Sequence, residues 1–149
     1  MKTSNVPSVP YAPPVPTPSN KTAVPTQYFF RSSYFPVDEI IVSTHAEVEL
    51  GRRSYSRPPS KLRRYEFLSP IVSLIHARLG ADEKGVFLVD VGTYAEGSTH
   101  GTFLNGSRIK SLTPNYLTKG DLISLGNPQC RMSVTLVLVR QALVGSPWQ

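Results

Sequence analysis

Nowhere in this chain do apolar residues recur at the roughly 3.6-residue spacing of an amphipathic helix over a window of about eleven residues. Short apolar runs separated by turn residues take their place. Tyr28-Phe29-Phe30, Glu39 to Val42 and Ala46 to Leu50 read as strands, the last alternating apolar and polar. Ile71 to Leu79 follows as a strand region, then Val86 to Val91, Thr102 to Leu104, Leu122 to Leu125 and Ser133 to Val139. Asn105-Gly106 marks a tight hairpin, because both residues tolerate positive φ. Many short strands joined by such turns bury their apolar faces by stacking two sheets or closing a barrel. The expected class is therefore all-β.

The texture divides the 149 residues into three parts. Residues 1–26 hold prolines 7, 10, 13, 14, 16, 18 and 25, half of the fourteen in the chain, and only Lys2 and Lys21 carry charge. Proline donates no backbone hydrogen bond and drives its predecessor to extended geometry. A disordered, polyproline-II-like tail is expected there, acting as a spacer more readily than as a ligand for an aromatic groove. Residues 27–141 form the expected domain and 142–149 a C-terminal tail. The 40% hydrophobic content suits a packed core.

No apolar run approaches the ~20 residues of a membrane-spanning helix. Met1 to Pro7 lacks the apolar stretch of a secretory signal, and the single cysteine, Cys130, has no internal partner for a disulfide. An intracellular location, nuclear or cytoplasmic, with no membrane partner is expected. Net charge is +6, and Gly51 to Pro70 carries most of it. Six basic residues (Arg52, Arg53, Arg57, Lys61, Arg63, Arg64) face one acid there, Glu66. A basic loop of this density points to an anionic partner.

Three polar signatures stand in fixed order within this frame: Gly51-Arg52, Ser73-Leu74-Ile75-His76, and Ser98-Thr99-His100-Gly101-Thr102-Phe103-Leu104-Asn105-Gly106. Gly120 to Gly126 follows. The set resembles the forkhead-associated (FHA) domain, over roughly Gln27 to Gln141. The resemblance implies an antiparallel β-sandwich of about eleven short strands that binds phosphothreonine peptides through loops at one end. It also implies roles. Arg52 pairs with the phosphate through its planar fork, Ser73 donates a hydroxyl, and Thr99 contacts the phosphate and walls a pocket for the phosphothreonine methyl. His100 stands where an asparagine usually bridges the peptide backbone. Gly51, His76, Gly101 and Asn105 support the site, His76 as a buried structural imidazole.

Two positions depart from the family's habit, His100 for asparagine and Leu74 for a basic or polar residue. The segment between Arg52 and Ser73 is also long, and Lys61, Arg63 and Arg64 would reach acidic residues flanking the phosphosite. Tyr94 to Gly97 looks inserted ahead of Ser98, which suggests a more mobile third loop. Alternative readings are a basic nucleic-acid-binding β domain, or a degenerate FHA scaffold without phosphate binding. An enzyme is disfavoured. Ser73, His76 and Asp90 have no Gly-x-Ser-x-Gly elbow, and His45, His76, His100 and Cys130 lack metal-ligand spacing. No cofactor or metal is expected. Thr17-Pro18, a site for a proline-directed kinase, makes phosphorylation-dependent self-association conceivable.

Overall fold

The computed structural model describes residues 26–34, 36–56 and 59–143. Residues 1–25 of the segment expected to be a polyproline-II-like tail, with Thr17-Pro18, lie outside them, as do Arg57 of the basic loop and residues 144–149. Eleven strands follow one another: β1 (Thr26–Ser32), β2 (Glu39–Ser43), β3 (Glu47–Arg52), β4 (Arg63–Phe67), β5 (Ala77–Asp82), β6 (Gly85–Asp90), β7 (Thr102–Leu104), β8 (Ser107–Arg108), β9 (Asn115–Tyr116), β10 (Leu122–Leu125) and β11 (Val134–Leu143). They form two sheets, ordered β2-β1-β11-β10-β7-β8 and β4-β3-β5-β6-β9, which pack as a sandwich. No helix among the described residues is long and apolar enough to cross a membrane.

Several strands send alternate residues inward, whereas β3 is buried on both faces from Val48 to Gly51, unlike the alternation expected for Ala46 to Leu50. Ile40 and Val42 of β2, Val86 and Leu88 of β6, and Val134, Leu136 and Leu138 of β11 are buried, and polar or half-exposed neighbours alternate with them. They meet Phe30, Leu50, Phe67, Leu79, Ile123 and Leu125 in one continuous core. Each large apolar side chain withdrawn from water contributes about 1.5–3 kcal/mol before ordering costs. Asn105 and Gly106, at φ 50° and 90°, make the two-residue turn that pairs Leu104 with Ser107. Positive φ at both central positions is what a hairpin turn of this hand requires.

The pairings are antiparallel with one exception. β4 lies parallel to β3, with Val48 opposite Arg63 and Arg52 opposite Phe67. Two parallel neighbours need a connection that returns the length of the strand. The long segment after Arg52 provides it, so the expected basic loop is a crossover followed by an edge strand. Ile71 to His76 is not strand as expected. Strand β5 begins at Ala77, and the preceding residues form turns whose polar atoms build the end of the sandwich. Strand pairing extends slightly past the expected bounds, since Thr26 pairs with Leu143 and Gln27 with Ala142.

Candidate functional site

β3 carries Arg52 to one end of the sandwich, where the turns before β5 and after β6 converge. The Arg52 amide donates to the Ser73 carbonyl at 2.9 Å, which fastens the first signature to the second. Its Nη1 donates to the Val72 carbonyl at 3.0 Å and the Pro70 carbonyl at 3.4 Å. These bonds fix the fork while leaving most of its five N–H donors unused. Among the described residues Arg52 has no carboxylate ion-pair partner. It lines a cleft of about 300 Å³ together with Ser73, Leu74, Tyr94, Thr99 and His100.

His76 holds this end together from beneath. The Ser73 amide donates to its Nδ1 at 3.0 Å, so Nδ1 is unprotonated and Nε2 carries the hydrogen. Nε2 then donates to the Gly101 carbonyl at 2.9 Å, joining the second signature to the third. The His76 amide donates to Leu50, and its carbonyl accepts from Val91 and Gly92. Burial pushes the imidazole pKa down from 6.5 to about 4, with the charge of His100 acting the same way. The hydrogen bond to Gly101 and the charge of Asp90 oppose it. The ring is therefore neutral at ordinary pH, a linker and not a proton carrier. Gly101 itself sits at φ 85°, where a side chain would be strained, and a Cβ there would come within 2.7 Å of Arg108 Nε.

Asp90, at the end of β6, is a second buried hub. Ser98 Oγ and Thr102 Oγ1 donate to its Oδ1 at 2.5 and 2.6 Å. The Ser98 amide and Ser111 Oγ donate to its Oδ2 at 3.1 and 2.8 Å. Burial pushes the carboxyl pKa up, but the hydrogen bonds from Ser98, Thr102 and Ser111 outweigh it and hold the value below normal. Asp90 thus pins both ends of the turn that presents Thr99 and His100. Sequence reasoning weighed Asp90 only as a triad member and missed this role. The surrounding serines and threonines at 98, 102 and 111 were the available signal.

Of the predicted positions, Arg52, Ser73, Thr99 and His100 line one cleft, and Gly51, His76 and Gly101 lie immediately behind or beside it. Ser73 Oγ accepts from the Thr99 amide at 3.2 Å, so its own O–H remains available to a ligand. Asn105 lies elsewhere. Its Nδ2 donates to Asp121 Oδ1 at 3.0 Å and its Oδ1 accepts from the Leu122 amide at 2.9 Å, which ties the β7–β8 hairpin to β10. Asn105 therefore supports the sheet and does not touch the cleft.

The basic residues of β4 are also placed differently from expectation. Arg64 Nε donates to Glu49 Oε1 at 2.8 Å in a largely buried pair, and the Arg63 guanidinium lies 5.5 Å from the Tyr65 ring centre. Arg63 stands opposite Val48, four residues along β3 from Arg52, or roughly 13 Å. Neither borders the cleft. The third loop is tied at its base. Gly97 donates to the Val91 carbonyl at 2.8 Å and Ala95 to Gly92 at 3.2 Å, which replaces the looser loop expected from the insertion.

The FHA domain family model matches residues 48–126, more than half of the chain. The chain belongs to the FHA domain family, a class of interaction modules. No curated protein matches it by sequence. Among solved structures, full-length yeast Pml1p is 16% identical with a TM-score of 0.61, covering 78% of this chain and 83% of its own. An engineered FHA domain with a Myc-pTBD peptide is 19% identical with a TM-score of 0.55, covering 78% and 91%. An FHA domain from an analysis of phosphothreonine-dependent interactions is 18% identical with a TM-score of 0.55, covering 78% and 99%. At these identities the likeness is one of fold.

Proposed function

We propose that the cleft at the end of the sandwich binds phosphothreonine in partner proteins, making the chain a phosphopeptide-binding adaptor of signalling pathways in the nucleus or cytoplasm. One observation carries this reading. Arg52, Ser73, Thr99 and His100 come from three separate segments yet line one cleft, and the Arg52 fork there lacks a carboxylate partner among the described residues. A dianionic phosphate accepts the free arginine N–H groups and the Ser73 hydroxyl as charge-assisted hydrogen bonds. Thr99 supplies an apolar methyl and a hydroxyl beside it. His100 reads the peptide backbone, donating or accepting according to its tautomer. The kinship with an FHA domain studied for phosphothreonine-dependent interactions supports the assignment. The domain is taken as residues 27–141, with the flanking segments as tails.

Arg52→Ala is the test. Removing one partner of a charge-assisted pair costs about 2–5 kcal/mol, so affinity for a phosphothreonine peptide falls ~30-fold or more, as read by fluorescence polarisation. Equal binding by Arg52→Ala and the parent would refute the assignment. Unphosphorylated peptide and duplex DNA serve as competitors. Displacement by DNA at physiological salt would point to a nucleic-acid site instead.

A further inference from the structure

The cleft has a second wall that phosphate chemistry does not use. Tyr94 is 84% exposed at its rim, facing the same space as Leu74, Ile71 and Thr93. The loop that presents it is built for rigidity. Gly92 and Gly97 both have positive φ and approach so closely that a Cβ on Gly92 would overlap the Gly97 backbone. Ala95 adopts φ 59°, a left-handed conformation that side-chain-bearing residues rarely take. The Ile75 amide donates to Thr93 Oγ1 at 3.3 Å, which locks the loop to the turn bearing Leu74. Backbone strain of this kind persists where the surrounding structure over-determines it, and it concentrates at ligand sites. This backbone places Tyr94 at the rim of the cleft that Leu74, Arg52 and Ser73 also line.

Resting on the phosphopeptide reading, we infer that Tyr94 and Leu74 form a selectivity subsite for a large apolar side chain immediately flanking the phosphothreonine. The phosphate is held by Arg52, and the neighbouring side chain lies against the tyrosine ring and the leucine. The Leu74 side chain offers no hydrogen bond, so a polar neighbour packed against it loses water without compensation there. An aromatic or aliphatic neighbour gains an area of contact from the exposed ring and from Leu74.

The test compares phosphothreonine peptides with alanine on both sides against peptides with leucine or phenylalanine immediately before or after the phosphoresidue. Contact with one aromatic ring predicts that the parent chain prefers one of the apolar-flanked peptides by about three- to tenfold. In Tyr94→Ala and in Leu74→Ala that ratio falls towards one, while Tyr94→Phe retains it, because the ring and not the hydroxyl makes the contact. A parent chain with no preference, or a Tyr94→Ala chain with the full preference, overturns the inference while leaving the phosphate site standing. Absence of phosphate-dependent binding by the parent overturns both, and Arg52→Ala tells that failure from the first.

Discussion

Arg52 and Arg64 occupy neighbouring strands of one sheet, yet their surroundings give them opposite uses. Arg64 lies against Glu49, whose side chain is only 2% exposed, and the pair closes the outer face of β3 and β4. Arg52 sits three residues further towards the end of the strand pair and meets backbone carbonyls instead of a carboxylate. Carbonyl dipoles orient a guanidinium without neutralising it, whereas a carboxylate cancels its charge. Basic composition is therefore a poor guide to placement: six basic residues crowd residues 51–70, and among the described ones Arg52, at the end of β3, lines the cleft.

The same contrast separates the rim of the cleft from its foundation. His76 and Asp90 are buried and hydrogen-bonded on every side, while the side chains above them keep donors for a ligand. Asp90→Ala is expected to have the largest effect on stability. It orphans the Ser98 and Thr102 hydroxyls and the Ser98 amide in a buried setting, a loss of about 3–5 kcal/mol in urea unfolding. A loss under 1 kcal/mol would mean that the turn bearing Thr99 stands without its anchor. Because the folded carboxyl pKa is depressed, Asp90's contribution is present above the unfolded value near 3.8 and fades as pH falls through the lower folded one.

His76 acts in a higher pH window with the same proton preference, since its folded pKa is also depressed. The unfolded ring takes up a proton below pH 6.5, but the folded ring resists until about pH 4. Between those values the unfolded chain binds more protons, so stability declines as the medium is acidified. The total loss is about 3 kcal/mol for a shift of this size. Replacement by a non-titrating residue in His76→Gln flattens this part of the stability profile. An NMR titration of the ring in the intact chain gives an independent reading. A His76 pKa above 6 would contradict its reading as a neutral linker beneath the cleft.

Much of this foundation is absent from linear sequence. Short apolar runs between turn residues reveal β2, β6 and β11, and Asn105-Gly106 announces its hairpin, because those features are local. β4 reads Arg63-Arg64-Tyr65-Glu66-Phe67 and shows no apolar rhythm, since an edge strand carries charge to discourage further pairing. Ile71 to Ile75 is apolar enough to read as strand, yet those residues serve a turn whose amide at Ser73 is bound by an imidazole three positions on. Arg52, Ser73, Thr99 and His100 were legible because three motifs in order constrain one another. Asn105 belongs to the same motif, but its partners, Asp121 and Leu122, lie sixteen and seventeen residues away and direct it to the sheet. Asp90 needed knowledge of which hydroxyls the fold brings together.

Arg64→Ala carries the smallest expected effect and the sharpest test of the opening contrast. Breaking a buried ion pair by removing one partner costs about 3–5 kcal/mol when both groups are fully enclosed. The Arg64 side chain is 19% exposed, which lets water reach Glu49 after truncation, and Glu49 and Arg64 each have further interactions. A loss of about 2 kcal/mol is therefore expected in chemical unfolding, below the range for fully enclosed pairs and above that for exposed ones. Phosphopeptide affinity should stay within about twofold of the parent, because Arg64 does not border the cleft and exposed charges a Debye length of ~8 Å or more away are largely screened at physiological salt. Arg52→Ala should give the mirror image, with binding lost and unfolding changed by under about 1 kcal/mol. If Arg64→Ala instead weakened phosphopeptide binding tenfold while leaving stability untouched, its pairing with Glu49 would not be its purpose, and the β4 edge would belong to the ligand surface.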